Sequence, residues 1–466
     1  MRFVRSFGLF SSLLITSAAA VIACSADAST ADDDSELGTD AGSDVIVLGP
    51  SIPGQEDAAA TPDAGDDTDA GDEADAGDAG NVPDGGDAGD AGDSGTPPAV
   101  DIYDQDTIPK FEFTFDDAAI AVLSDKTEAT QKTWVKGTFK FGNTVLADVG
   151  FRRKGSSTFR AYPEKMALKV KFNKFVDGQT FLGLKELTLN NGVSDPTFLA
   201  ERLAYHVFRS TGVVAERANA ADVHINGTYW GLYANVETPN KDFLKRVFAK
   251  KAKSLYEVNY GSSWTLDEIS GFEEDEGDGS FADLKNLFAV VTPARSTSLL
   301  DDVKPVLDTT EFLRMAATEG VIGHYDGYAY GIWGSHNYHM AGNTDGVFNL
   351  LPWSTDLTFS DRESKDGKAV VNLAVPRNID NGASLIMRCR QAPTCWATYK
   401  TTIGEVLGTY ESLKLVDLAK KWHAQIDSRV KLDTKTPVSQ GYYADETTKL
   451  YAWLAARPAV VRDQIK

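Results

Sequence analysis

Residues 25–100 constrain this chain more than any other segment, because their composition is not expected to fold. The stretch DAGDDTDAGDEADAGDAG (63–80) typifies a tract rich in Asp, Ala and Gly that contains no lysine or arginine and almost no large apolar side chain. Such a tract cannot bury enough apolar surface to offset its ordering entropy, so it is expected to be a disordered linker. The spacing resembles stacked carboxylate loops that take calcium weakly, but a solvated spacer is the simpler reading. The whole chain carries −22, of which the tract supplies −21 while Arg2 and Arg5 return +2, leaving −3 for residues 101–466. The acidity therefore belongs to the tether. It says little about what the folded part binds, and no nucleic-acid partner is expected.

The tract is preceded by MRFVRSFGLFSSLLITSAAAVIAC, in which two arginines lead an apolar run and then small residues. That is the layout of an export signal. Its end, Val21–Ile22–Ala23–Cys24, resembles a bacterial lipobox, which would make Cys24 a lipidation site and the mature N-terminus. An exported protein anchored to a membrane by its lipid, in the cell envelope, is the expectation. Beyond the tract no run is long and apolar enough to cross a bilayer. In an exported protein Cys389 and Cys395, six apart in RCRQAPTCW, read as a disulfide closing a small loop. His423 alone does not turn them into a metal site.

The folded part runs from about residue 101 to 466. Alternating or aromatic and β-branched segments predict strands over 111–115, 133–141, 149–155, 166–175 and 184–191. Asp195–Pro196 predicts a helix start and Gly212 its end. Asn226–Gly227 sits between two apolar runs and predicts a hairpin. After Glu237 the pattern becomes helical, apart from a glycine-dotted stretch holding YHM, VFNLLPW and LTF. The whole is expected to be an α+β chain with a strand-rich lobe, a helix-rich lobe and a cleft between them.

Three groups of polar residues could carry chemistry there. In FRRKGSSTFRAYPEKMALKVKF (151–172) a Gly-Ser-Ser turn offers backbone N–H groups to an anion. Lys165, Lys169 and Lys171 follow at even spacing, on one face of an expected strand, and Arg152, Arg153 and Lys154 precede the turn. GHYDGYAYGIWGSHNYHM supplies Asp326, His336, Asn337 and His339, and PWSTDLTFS supplies Asp356. Asp326, Asn337 and Asp356 are oxygen ligands of the kind Mg²⁺ takes. Taken singly, Asp326 is as well read as a helix C-terminal turn residue and Asn337 as an amide serving strand backbone.

The order of FRRKGSSTFRAYPEKMALKVKF, LTLNNGVSDPTFLAERLAYHVFRSTG, HINGTYWGLYANVE, HYDGY with HNYHM, and PWSTDLTF resembles the spore-coat-protein-H (CotH) kinase family. The resemblance spans roughly residues 110–430. It implies a two-lobed, atypical protein-kinase-like fold that uses ATP and Mg²⁺ to phosphorylate serine or threonine on a protein. It places Gly155, Ser156 and Ser157 at the family's glycine-serine turn, with Lys165 and Lys169 as phosphate-side lysines. Asp326 takes the place of the catalytic acid, and Asn337 and Asp356 those of the metal ligands. Glu201 would pair with a strand lysine, which one being left open. Where the family commonly has PW-Asp-x-Asp, this chain has Ser354 at the first acidic position. A second reading follows from that departure: a cell-surface structural or adhesion protein that keeps the fold without catalysis.

Overall fold

Phenylalanines two residues apart share one face of a strand. Phe111 and Phe113 do so on β1 (Lys110–Thr114), Phe115 follows at the next step, and all three are buried. The computed structural model describes residues 100–332, 334–360, 371–376 and 385–466. Cys24 and the acidic tract up to residue 99 lie outside the described residues. β1 opens a closed barrel that continues through β2 (Val135–Phe141), β3 (Thr144–Lys154), β4 (Ala167–Lys171), β5 (Glu186–Asn190), β6 (Ala218–Ile225) and β7 (Thr228–Val236). The strand order is β1-β2-β3-β4-β5-β7-β6. Neighbours are antiparallel except where β1 closes on β6 in parallel, with Phe111 opposite Val223. Phe111, Phe113, Phe139, Phe151, Phe172 and Phe181 fill the interior with Leu168, Val170, Leu187 and Leu189. Phe139 and Phe181 rings approach to 4.7 Å.

The hairpin expected at Asn226–Gly227 joins β6 to β7. Both residues have positive φ, 49° and 79°, as a type I′ turn requires. The Asn226 side chain also bonds both backbone groups of Phe115, so the turn holds the end of β1.

Two short helices, α1 (Asp117–Ser124) and α2 (Glu128–Gln131), lie between β1 and β2, and α3 (Ala200–Ser210) follows β5. The helix expected from Pro196 starts four residues later. The Asp195 carboxylate accepts from Thr197 and from the Ala200 N–H at 2.8 Å, so residues 195–199 form a capping loop, with Phe198 at φ 57°. At the other end Gly212 (φ 83°) bonds back to Arg209 and Val213 to Phe208, a Schellman stop that needs glycine. Leu203, Val207 and Phe208 are fully buried, each contributing about 1.5–3 kcal/mol.

The region after Glu237, read from sequence as helical, also holds strands. α4 (Lys241–Phe248) leads into β8 (Ala252–Val258) and β9 (Phe272–Glu276). These join β10 (Tyr338–Asn343) and β11 (Phe348–Pro352) in a sheet of order β11-β10-β8-β9. Four of the five residues of β9 are acidic, and only its pairing with β8 makes it a strand. Helices α5 (Ala282–Val291), α6 (Leu299–Val303), α7 (Thr309–Ile322), α8 (Leu385–Gln391), α9 (Pro393–Ser412), α10 (Leu415–Leu432) and α11 (Gln440–Gln464) complete the mixed α+β fold. The long periodic segment ending near Ile426 divides into α9 and α10 at Lys414, whose φ is 49°. Cys389 and Cys395 are joined by a disulfide at the α8–α9 junction.

Candidate active site

Helix α7 stops at Gly323, in the left-handed region at φ 70°, and the chain that follows delivers Asp326 and Asn337. Asn337 also has positive φ, 53°. Its Nδ2 donates to the Asp326 carbonyl at 2.9 Å and to Asp326 Oδ2 at 2.8 Å. These bonds leave Asn337 Oδ1, the atom a cation would take, outside them. The other carboxylate oxygen, Asp326 Oδ1, lies 2.8 Å from His336 Nε2. His336 Nδ1 faces the Gly334 carbonyl at 2.9 Å, so that nitrogen carries a proton. Burial by itself would lower the His336 pKa. The Asp326 bond and charge, with the Gly334 carbonyl, outweigh it and raise the pKa above the ordinary value. Asp326 thus accepts from an amide on one oxygen and has an imidazole at ion-pair distance from the other.

Asp356 stands in the loop after β11, half-buried, with the Ser354 hydroxyl donating to its Oδ1 at 3.2 Å. The loop is pinned by Thr358 bonding the Thr355 carbonyl and by Phe359 N–H bonding Ile322 at the end of α7. Burial and then the charges of Asp326 and Asp195 push the Asp356 carboxyl up to about 6, against a backbone N–H and the Ser354 hydroxyl that pull it down. Glu201, in the first turn of α3 and 3 % exposed, is pushed up to about 8 by burial and by Asp356; Lys154 and Asn190 oppose this. The lysine linked to Glu201 is Lys154. Lys154 Nζ donates to Asn190 Oδ1 and Asn190 Nδ2 donates to Glu201 Oε1, each at 2.8 Å.

The structure therefore brings Asp326, Asn337, Asp356 and Glu201 into one acidic cluster on loops and helix ends. Neighbouring carboxylates repel one another when ionised, and their hard oxygens fit Mg²⁺. Asp356 and Asn337 Oδ1 are the atoms that could hold it.

The basic strands divide differently from the sequence reading. Gly155 sits at φ 95°, where a side chain would be strained, and a Cβ there would press on Thr158 Oγ1. The turn it opens closes through Phe159 N–H on the Ser156 carbonyl, and Ser157 carbonyl accepts from Arg160. Arg153 does not join the cationic group. It turns to the α1–α2 segment and donates to the carbonyls of Leu123 and Thr130. Lys165 is likewise elsewhere: it precedes β4, outside the extended strand, so even spacing does not carry it to the face of Lys169. Its ammonium is buried, 2.6 Å from Asp433 Oδ2, and lies over the rings of Phe198 and Tyr233. Arg152, Lys154 and Lys169 do share one wall, Arg152 opposite Lys169 in register. They line a cleft with Thr238, Pro239, Glu257, His339 and Trp353. Lys154 and Asn190 carried a readable signal, since Lys154 is two residues from Arg152 on the outer face of β3, but nothing local joined them to Glu201.

A family model described as CotH kinase protein matches residues 151–461. The chain is similar to the inner spore coat protein H of Bacillus subtilis (strain 168), with 24 % identity over 203 residues, 40 % of this chain and 53 % of that protein. It thus spans about half the length of this curated relative. Among solved structures it is similar to the Helicobacter pylori proinflammatory kinase CtkA, at 10 % identity and TM-score 0.29, over 64 % of this chain and 92 % of that one. It is also similar to a Shewanella oneidensis MR-1 toxin–antitoxin complex of HipA, HipB and operator DNA, at 14 % identity and TM-score 0.25, over 60 % and 59 %. TM-scores this low establish no shared fold, and the assignment rests on the sequence match. That match covers well over half of the chain and takes in Lys154, Glu201, Asp326, Asn337 and Asp356: the chain belongs to the CotH kinase protein family.

Proposed function

We propose that this protein is an atypical kinase with a two-lobed arrangement, transferring a phosphoryl group from ATP to serine or threonine of an exported or cell-surface protein. One observation carries the reading: Lys154–Asn190–Glu201 and Asp326–Asn337–Asp356 converge on a single acidic cluster beside a basic cleft wall. Phosphoryl transfer depends on positioning and charge neutralisation more than on covalent chemistry by the protein. Lys154, Lys169 and Arg152 are placed to neutralise nucleotide phosphates. Glu201 orients Lys154 through Asn190. Asp326, oriented by Asn337 and His336, would accept the proton of the substrate hydroxyl. Mg²⁺, when bound by Asp356 and Asn337 Oδ1, would supply charge stabilisation to the phosphates. Lipid attachment at Cys24 would hold the enzyme to a membrane by its acidic tether.

Ser354 favours a second reading, a nucleotide-binding surface protein without catalysis, because a hydroxyl stands where the family commonly has an acid. Mg²⁺-dependent transfer of ³²P from ATP by the full chain, beside an Asp356→Ala control, separates the two. Transfer that needs both Mg²⁺ and Asp356 supports the kinase; nucleotide binding with no transfer supports the surface protein.

A further inference from the structure

The sheet formed by β8–β11 carries a second polar cluster, on the wall of the same cleft, to which the proposed transfer assigns no role. His339 on β10 lies opposite Glu257 on β8, and Glu257 lies opposite Glu273 on β9. The β8–β9 register slips between Leu255 and Tyr256, leaving Asp275 as the extra residue of a bulge, a device that re-aims a side chain. One ligand atom each from Glu257, Asp275 and His339 all fall within 4.8 Å of one another, with His339 Nε2 3.8 Å from Asp275 Oδ2.

The histidine is the unusual member. It is 3 % exposed, and its Nε2 faces Asp275 Oδ2 at 3.8 Å, beyond hydrogen-bond distance. A buried nitrogen turned to a carboxylate that it does not bond is costly unless something sits between them. We infer that Glu257, Asp275 and His339 form a divalent-cation site, distinct from the Asp326–Asn337–Asp356 cluster, for an ion that accepts imidazole beside carboxylate, as Mn²⁺ and Zn²⁺ do. Mg²⁺ prefers oxygen alone. Bonds of about 2.0–2.2 Å place ligand atoms up to about 4.4 Å apart, so shifts of roughly half an ångström at the two carboxylates close the site. The ion would sit on the cleft wall facing Arg152 and Lys169, and the inference stands whether or not the protein transfers phosphate.

Mn²⁺ is the probe. The full chain is stripped with chelator and titrated with Mn²⁺ in excess Mg²⁺, bound ion being counted by electron paramagnetic resonance. Nitrogen coupling in the spin-echo envelope reports imidazole ligation. Wild type and Asp356→Asn are expected to hold a Mn²⁺ with nitrogen coupling. His339→Ala is expected to lose that coupling, and Asp275→Asn to weaken binding by at least the roughly 10–100-fold that an outer-shell partner costs. Asp275 is partly solvent-facing, so its amide isostere keeps the fold if His339→Ala does not. No nitrogen-coupled Mn²⁺ in wild type, coupling that survives His339→Ala, unchanged affinity in Asp275→Asn, or coupling lost in Asp356→Asn would each overturn the inference.

Discussion

Lys154 and Glu201 are linked through the Asn190 amide, which takes the ammonium on Oδ1 and donates to the carboxyl from Nδ2, each at 2.8 Å. The amide fixes a strand residue, a neighbouring strand and the first turn of α3 relative to one another. Asn190→Ala removes a donor from Glu201 and one acceptor from Lys154. A loss of about 1–3 kcal/mol in stability is expected from the buried Glu201 carboxyl, together with weaker Mg-ATP binding. Thermal melting and isothermal titration check both, and unchanged ATP affinity would remove the linkage from the nucleotide site.

Asp356 and Asp326 are expected to fail differently. Asp356→Asn removes a metal ligand, so Mg-ATP affinity falls. Asp326→Asn leaves binding intact and lowers transfer by roughly 10²–10⁴-fold, the usual worth of a general base. Titration of Mg-ATP beside a transfer assay decides, and unimpaired binding in both variants leaves Asp356 a structural residue. If wild type binds ATP without transfer, Ser354→Asp tests whether the missing acid is the reason.

Without a divalent ion the same aspartate is a liability. Its folded pKa, about 6 against an ordinary 3.8, favours the protonated form, so stability present at low pH is lost as pH rises through about 6. At neutral pH, metal-free Asp356→Asn should be more stable than wild type, by on the order of 1–2 kcal/mol. Added Mg²⁺ should raise the melting temperature of wild type alone. A destabilised variant in chelator contradicts this account of the cluster.

Glu311 offers a pH test away from the site. It is buried at the start of α7, and burial above all pushes it up to about 8 from 4.5, while the Leu350 N–H pulls it down. The native state therefore holds a proton that the unfolded chain releases above about 4.5. Stability is expected to decline by a few kcal/mol between pH 4.5 and 8, and Glu311→Gln should flatten that slope. Parallel slopes in urea titrations of the two proteins would show that Glu311 does not cause the decline.

Lys165 separates placement from resemblance. Lys165→Met strands the fully buried Asp433, which is expected to cost about 3–5 kcal/mol. Removing both charges with Asp433→Leu should recover most of it. Mg-ATP affinity of the folded variant should match wild type, and a selective loss of affinity would return Lys165 to the phosphate side. Membrane attachment is a separate matter: Cys24→Ser should release the protein from the membrane fraction, because the acyl chains supply the affinity. Unchanged partition rules out a lipid at that position.

Much of the barrel was legible because its signals are local. Period-two phenylalanines, the Asn226–Gly227 turn and the Gly212 stop each act through neighbouring backbone, and no distant contact is needed to read them. β9 was not, since Glu273, Asp275 and Glu276 disfavour a strand until β8 supplies its ladder. Nor was the parallel closure of β1 on β6, which joins segments about a hundred residues apart.

In the site, residue types and order were enough to nominate Glu201, Asp326, Asn337 and Asp356. Their partners were settled only in three dimensions. Lys154 rather than Lys165 is linked to Glu201 because β3 presents it on the outer face, while Lys165 lies before β4 and is drawn to Asp433, 268 residues away. Side-chain alternation can be read along an extended strand, where each residue turns the next by half a revolution. It cannot be read through a turn, and a buried ammonium goes wherever the fold leaves a carboxylate to meet it.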